Sequence, residues 1–205
     1  SFSNFTVYAA ASIIYFSGGA HGFAIEPGAV ICREGAKIVV FEVSPHGVGG
    51  LVYNQPSPIR LGDLSIPAFE SFADEQLMMG RDSHGVESSS SNVPISDMAP
   101  WFWLHNVVEL ADSSTLLQGA DGALFMGGNI EQAAELVKSG KIKASSFKFF
   151  HKYTTWQDLS LELELQKGKA KYEGSAAPSD VLQPYSLSFI FDNTTDNIGS
   201  WQKSQ

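Results

Sequence analysis

The sequence predicts an α+β fold: a curved, mostly antiparallel mixed sheet with a barrel-like core and a few packed helices. Three observations carry this. Short β-branched and aromatic runs recur along the chain, among them "GAVIC", "AKIVVFEV", "QLMMG" and "WFWLHNVVEL". Few segments carry a helical signal. The two kinds do not alternate in the strand–helix rhythm that a doubly wound sheet requires.

The elements follow in order. "GAVIC" and "AKIVVFEV" read as strands joined by the turn "REG". "SPHGVGG" is a turn cluster, with Gly49 and Gly50 marking a bulge or a close backbone approach. "LVYNQP" is the next strand, expected to stop near Gln55 because Pro56 donates no ladder bond. A short helix is expected near "FESFADEQ", then the strand "QLMMG" ending at Gly80. Residues 81–99 read as an exposed polar loop. "WFWLHNVVEL" and "GALFMGG" return to strand character. "NIEQAAELVKSG" is the clearest helix. Asn129 caps it, Gln132 sits at the capping-box position, and Gly140 suits a left-handed stop. "SSFKFFHKY" alternates as a strand, and "SLSFIF" is a further strand candidate in the tail.

Three spans of chain are expected: a targeting or signal remnant over 1–23, one domain over 24–192, and a polar tail over 193–205. The first opens on Ser1, and its apolar stretch "FTVYAAASIIYFSGGAHGFA" reads as a leader core followed by small residues. Such a leader implies a plastid or secretory route, and without it a soluble intracellular protein. The sequon Asn193-Thr194-Thr195 is usable only on the secretory route.

With 205 residues, the chain suits one domain with a sizeable core. A net charge of −9 argues against a nucleic-acid surface, which needs clustered Lys and Arg. The modest run Lys138, Lys141, Lys143 and Lys148 reads as a solvated face. The single cysteine, Cys32, excludes an internal disulfide and reads as a small buried residue. No cofactor and no metal site are expected. The histidines His21, His46, His84, His105 and His151 lack zinc spacing, and Asp82 with His84 lacks further ligands.

Five short motifs in order resemble the AlgH-like family of bacteria and plastids, a family with no assigned reaction. They are "FAIEPGAVIC"; "HGVGGLVYNQP", through Gly47, Gly50, Asn54 and Pro56; "WFWLHNV"; "DGALFMGG" with "LVKSG"; and "FKFFHKYTTWQDLSLELELQKG". The last matches through Phe147, Phe149, Phe150, Tyr153, Trp156, Leu161, Glu164 and Gly168. The match covers about residues 24–168. It implies a helix from Thr155 to Lys167 capped by Thr155, with Trp156, Leu159 and Leu163 on one face, packed against the strand of the three phenylalanines. The sequence departs from the pattern where a "GGP" turn becomes Gly80-Arg81-Asp82, and where Lys152 and Thr155 replace glycines.

Neither a nucleophile elbow nor a paired-carboxylate site is evident. The residues offered for a pocket are Asn54, Gly80, His105, Gly127 and Gly128. Asn54 reads foremost as a turn residue and His105 as a hydrogen-bonded buried histidine. The favoured function is a non-catalytic binding or regulatory module whose partner the residues do not name, a protein being one candidate. The alternatives are an enzyme acting on a small molecule near Asn54 and His105, and a scaffold using exposed aromatics such as Trp101 and Trp103.

Overall fold

The computed structural model describes residues 9–10, 13–16, 23–81, 101–117, 122–157 and 159–185, with side chains from Ile25 onward. The candidates Asp82, His84, "SLSFIF" and Asn193 lie outside these residues. Strands β1 (Ala9–Ala10), β2 (Ile13–Phe16) and β3 (Phe23–Ile25) form a small antiparallel sheet.

The main sheet is built from β4 (Ala29–Arg33), β5 (Ala36–Ser44), β6 (Gly47–Arg60), β7 (Gln76–Gly80), β8 (Trp101–His105), β9 (Thr115–Leu117), β10 (Leu124–Met126), β11 (Phe147–His151), β12 (Thr154–Gln157) and β13 (Ala170–Ser175). Its order is β13-β4-β5-β6-β7-β11-β8-β10-β9, and β12 pairs with β6. The β7–β11 pairing is parallel and the others are antiparallel. The sheet curls into a half-barrel, which is the α+β architecture expected.

Period-2 alternation sorts the core. On one face, Val39, Leu51, Tyr53, Met78, Leu104 and Phe150 pack together with residues 176–185. On the other, Ile38, Val40, Val52 and Trp156 form one cluster, and Leu77, Phe147 and Phe149 form another. The second is covered by helix α1 (Ile130–Lys138) and the 3-10 turns Pro67–Phe72 and Val108–Ser113. Helices α2 (Ser160–Gln166) and α3 (Pro178–Leu182) complete the fold.

Several expectations are corrected. Strand β6 does not stop at Gln55. It runs through Pro56, which faces Met78 in an irregular stretch of the β6–β7 ladder where the register shifts on either side. Proline is tolerated at such a break because no regular ladder bond is lost.

The segment from Thr155 is not one helix. Thr154–Gln157 is strand β12, and α2 begins at Ser160. The ladder to Gly47–Gly50 satisfies the backbone of β12, and Trp156 drops into the core beside Ile38 and Val40. The buried face of α2 is also the opposite of the one expected. Leu159 and Leu163 are 56% and 49% exposed, while Leu161 is buried. The strict alternation of the leucines therefore concealed a helix presenting Leu161 and Leu165 inward, at i and i+4. That helix packs mainly on β12 and β13, where the expectation placed it on the phenylalanine strand β11.

Lys148 does not belong to a solvated face. Phe147–His151 is buried along its whole length, and the Lys148 amine reaches the Tyr53 and Gln183 carbonyls. The cap of α1 is as expected: Asn129 Oδ1 accepts from the Gln132 amide at 2.8 Å. The reciprocal box bond is replaced, because Gln132 Nε2 donates to the Glu109 carbonyl and Ser113 Oγ accepts from the Asn129 amide.

Candidate functional site

The glycines of the "HGVGG" stretch lie on β6 between two flanking strands, β5 and β12. Gly49 faces Glu42 on one side and Thr155 on the other; Gly47 faces Ser44 and Gln157. Two cross-sheet rows therefore have a glycine at their centre and a polar residue on each flank. A trough of about 270 Å³ lies along these rows, lined by Glu42, Ser44, His46, Tyr153, Thr155 and Gln157 with Gly47 and Gly49.

Each glycine has its own reason. A Cβ on Gly47 would strike the Trp156 carbonyl, and one on Gly49 would come within 2.9 Å of the Phe41 ring. Gly50 serves the other face, where a Cβ would lie 2.5 Å from Ile38 and 3.5 Å from Trp156. A bulge in β5 between Val40 and Glu42 accompanies this crowding, in keeping with the expected irregularity. Phe41, Phe102 and Tyr153 form an aromatic trio whose rings lie 5.4–5.7 Å apart, and Tyr153 belongs to the lining of the trough.

Beneath the trough, Trp156 Nε1 donates to Glu164 at 3.0 Å. The Arg33 guanidinium lies 4.6 Å above the Trp156 ring and 3.1 Å from both Glu164 oxygens. This network fixes α2 against β4 and β12.

The pocket residues offered by the sequence stand in three places. Asn54 bridges β6 to the β4–β5 turn: its Oδ1 accepts from the Lys37 amide and its Nδ2 donates to the Gly35 carbonyl, both at 2.8 Å. Gly80 ends β7 at φ +68°, pressed against the Lys152 carbonyl. His105 lies at the opposite end of β11, facing Phe147, whereas Gly80 sits beside the residue after His151. Gly127 and Gly128 are with His105, whose Nε2 is 3.0 Å from both the Gly127 carbonyl and Ser114 Oγ. A Cβ on Gly128 would fill the space beside these same groups.

The Val107 amide donates to His105 Nδ1, so the ring is neutral, with its proton on Nε2. Burial holds its pKa below the usual range, against the opposing pull of the Gly127 carbonyl. A histidine so enclosed is a structural joint between β8 and the turn after β10.

Sequence reasoning missed two buried polar groups. The His151 ring is tilted against Trp101, with ring centres 5.2 Å apart, and neither of its nitrogens has a partner among the described residues. Its pKa is lowered by burial and by the charges of Lys152 and Arg81. Lys148 is 6% exposed; its amine donates to the Tyr53 and Gln183 carbonyls and lies 4.4 Å from the Tyr185 ring centre. Burial lowers its pKa to about 7, against the attraction of Asp180. Its place in an alternating strand carried the only signal, since Lys148 shares a face with Phe150.

No family model matches the chain. A UPF0301 protein of Chlorobium luteolum is 28% identical over 146 residues, 71% of this chain and 67% of that protein. A UPF0301 protein of Chlorobaculum tepidum is 29% identical over the same shares. Among solved structures, a protein of Corynebacterium diphtheriae has a similar fold, with a TM-score of 0.57 at 20% identity over 83% of this chain and 86% of that one. The AlgH protein of Pseudomonas aeruginosa, itself designated UPF0301, matches with a TM-score of 0.54 at 14% identity over 87% and 95%. Sequence and fold thus lead to one designation. The chain is AlgH-like.

In this AlgH-like chain, two of the motif stretches converge on the trough: Gly47 from one, and Tyr153 and Trp156 from the other. Its departures from the family pattern have a structural reading too. Lys152, standing where the pattern has glycine, keeps the left-handed backbone that glycine favours, at φ +67°.

Proposed function

We propose that this AlgH-like domain is a non-catalytic binding module whose ligand lies in the glycine-floored trough. The observation that supports it is the meeting of two separate motif stretches around one concavity. Glu42 on one wall and the Tyr153 ring at the lining suit a ligand with a cationic or hydrogen-bond-donating group beside an apolar part. A basic segment of a protein partner has that chemistry, and so does a small amine. The enclosure of His105 speaks for binding over acid–base chemistry, because the ring's nitrogens are both engaged. A regulatory role and the plastid or secretory route belong to the same proposal.

The test is a thermal-shift screen of basic peptides and polyamines. A ligand at a hundred times its dissociation constant adds about 2.7 kcal/mol, a shift of several degrees. Glu42→Gln and Tyr153→Ala are expected to lose the shift. A shift that survives both substitutions places the ligand elsewhere and removes the trough from the argument.

A further inference from the structure

On the face of the sheet that carries Tyr53, away from the trough, two side chains from two strands converge on one carboxylate, and a third holds the same segment. Tyr53 on β6 donates its hydroxyl to Asp180 Oδ2 at 2.8 Å. Lys37 on β5 lies 3.4 Å from the same oxygen. Lys148 on β11 reaches the same segment and not the carboxylate itself, its amine donating to the Gln183 carbonyl at 2.8 Å. The other Asp180 oxygen accepts from Gln183 Nε2 at 2.8 Å and Tyr185 Oη at 3.3 Å.

Asp180 belongs to a short segment, 176–185, packed on the face of the sheet that carries Leu51, Tyr53 and Phe150. Ala176, Val181, Leu182 and Tyr185 provide its apolar contacts. The Lys37–Asp180 pair is more than a third exposed on both sides, and a pair so open to water contributes little. The donors on the sheet are otherwise arranged as an oxyanion cradle: the Lys37 ammonium, the Tyr53 phenol and the nine-tenths-buried amine of Lys148.

We propose that Lys37, Tyr53 and Lys148 form an anion site which the chain's own Asp180 occupies, standing in for an external carboxylate or phosphate. The segment 176–185 is then a strap that an incoming oxyanion displaces. This site is independent of the trough, and either reading can fail without the other.

The experiment is Asp180→Ala, melted with and without inorganic phosphate or acetate, with sodium chloride at matched ionic strength as control. The vacated site predicts a lower melting temperature than wild type and a saturable recovery of several degrees with one of the two anions. The better anion names the ligand class. Adding Lys148→Met should abolish the recovery. A melting temperature that follows ionic strength alone, or a recovery unaffected by Lys148→Met, overturns the site. If Asp180→Ala does not fold, hydrogen exchange of 176–185 in wild type decides. Faster exchange at saturating phosphate than in chloride supports displacement, and unchanged exchange sinks it.

Discussion

Arg33 and Glu164 meet across 131 positions of sequence, and the Arg33 side chain is almost wholly buried. The pair is flanked by the Trp156 ring and closes α2 onto β4. Removing the carboxylate leaves a buried guanidinium with a large part of its compensation gone. Glu164→Ala should therefore destabilise by about 2 kcal/mol, less than a fully buried pair because Glu164 keeps some access to water. Chemical denaturation checks this, and a loss below about 0.5 kcal/mol would mean that water or another group takes over the Arg33 charge.

Asn54 acts as two missing rungs of a ladder, giving the β4–β5 turn an acceptor and a donor at once. Asn54→Ala should cost about 2 kcal/mol, since both the Lys37 amide and the Gly35 carbonyl lose a partner. Asn54→Asp keeps the first bond but sets a carboxylate against the Gly35 carbonyl, so it should be no better than alanine. An aspartate variant as stable as wild type would refute this account of the residue.

The two buried histidines should respond oppositely to substitution. His105→Phe loses the bonds to Val107 and Gly127 and should cost about 2–3 kcal/mol. His151→Phe removes nitrogens that have no described partner, so it should be neutral or stabilising. Both rings have lowered pKa values in the fold, against 6.5 in the unfolded chain. The unfolded state therefore binds protons first, and stability falls as pH drops below about 6.5. Denaturation midpoints between pH 7 and pH 5 should show a shallower decline for His151→Phe than for wild type.

Lys148 predicts a slope on the alkaline side. Its pKa is about 7 in the fold and 10.5 in the unfolded chain. Below pH 7 both states are protonated and the full burial penalty applies. Between pH 7 and pH 10 the unfolded chain holds the proton that the fold has lost, so stability rises with pH from this group. Tyr53 and Tyr185, pushed up by burial, act in the opposite sense only above pH 10. Lys148→Met should flatten the rise, and an equal slope in both proteins would show that Lys148 keeps its charge in the fold.

Gly80 and Gly127 share a left-handed φ but differ in surroundings. A Cβ on Gly127 meets nothing within 4 Å, whereas one on Gly80 collides with the Lys152 backbone. Gly127→Ala should cost about 1 kcal/mol for the backbone conformation alone. Gly80→Ala should cost more than 3 kcal/mol, because the turn between β11 and β12 must move. Comparable losses would mean that the β7 end is free to shift.

The strands and the cap of α1 were legible because local chemistry decides them: period 2, β-branching, and Asn129 ahead of a helical run. Trp156 was misplaced because strand and helix signals overlap in that segment, and the choice between them lies in a pairing with Gly47–Gly50 more than a hundred residues away. Lys148 was misread because a lysine's burial depends on carbonyls from β6 and the 176–185 segment, which no spacing in its own strand reveals. Strand β13 escaped notice because "AKYEGS" is half polar, as suits an edge strand with one side exposed. The trough was not legible as a group, since its lining depends on β6 lying between β5 and β12.

That insertion of β11 has a consequence during synthesis. The meander β4–β7 can pair as soon as residue 80 leaves the ribosome, but the strand that covers the far edge of β7 is translated some seventy residues later. At ordinary elongation rates the edge of β7 stays uncovered for several seconds. An unpaired edge next to apolar surface is a template for wrong partners. The nascent chain therefore passes through a window in which an early-binding chaperone would have its greatest effect on yield, and slowing translation after residue 80 would lengthen it.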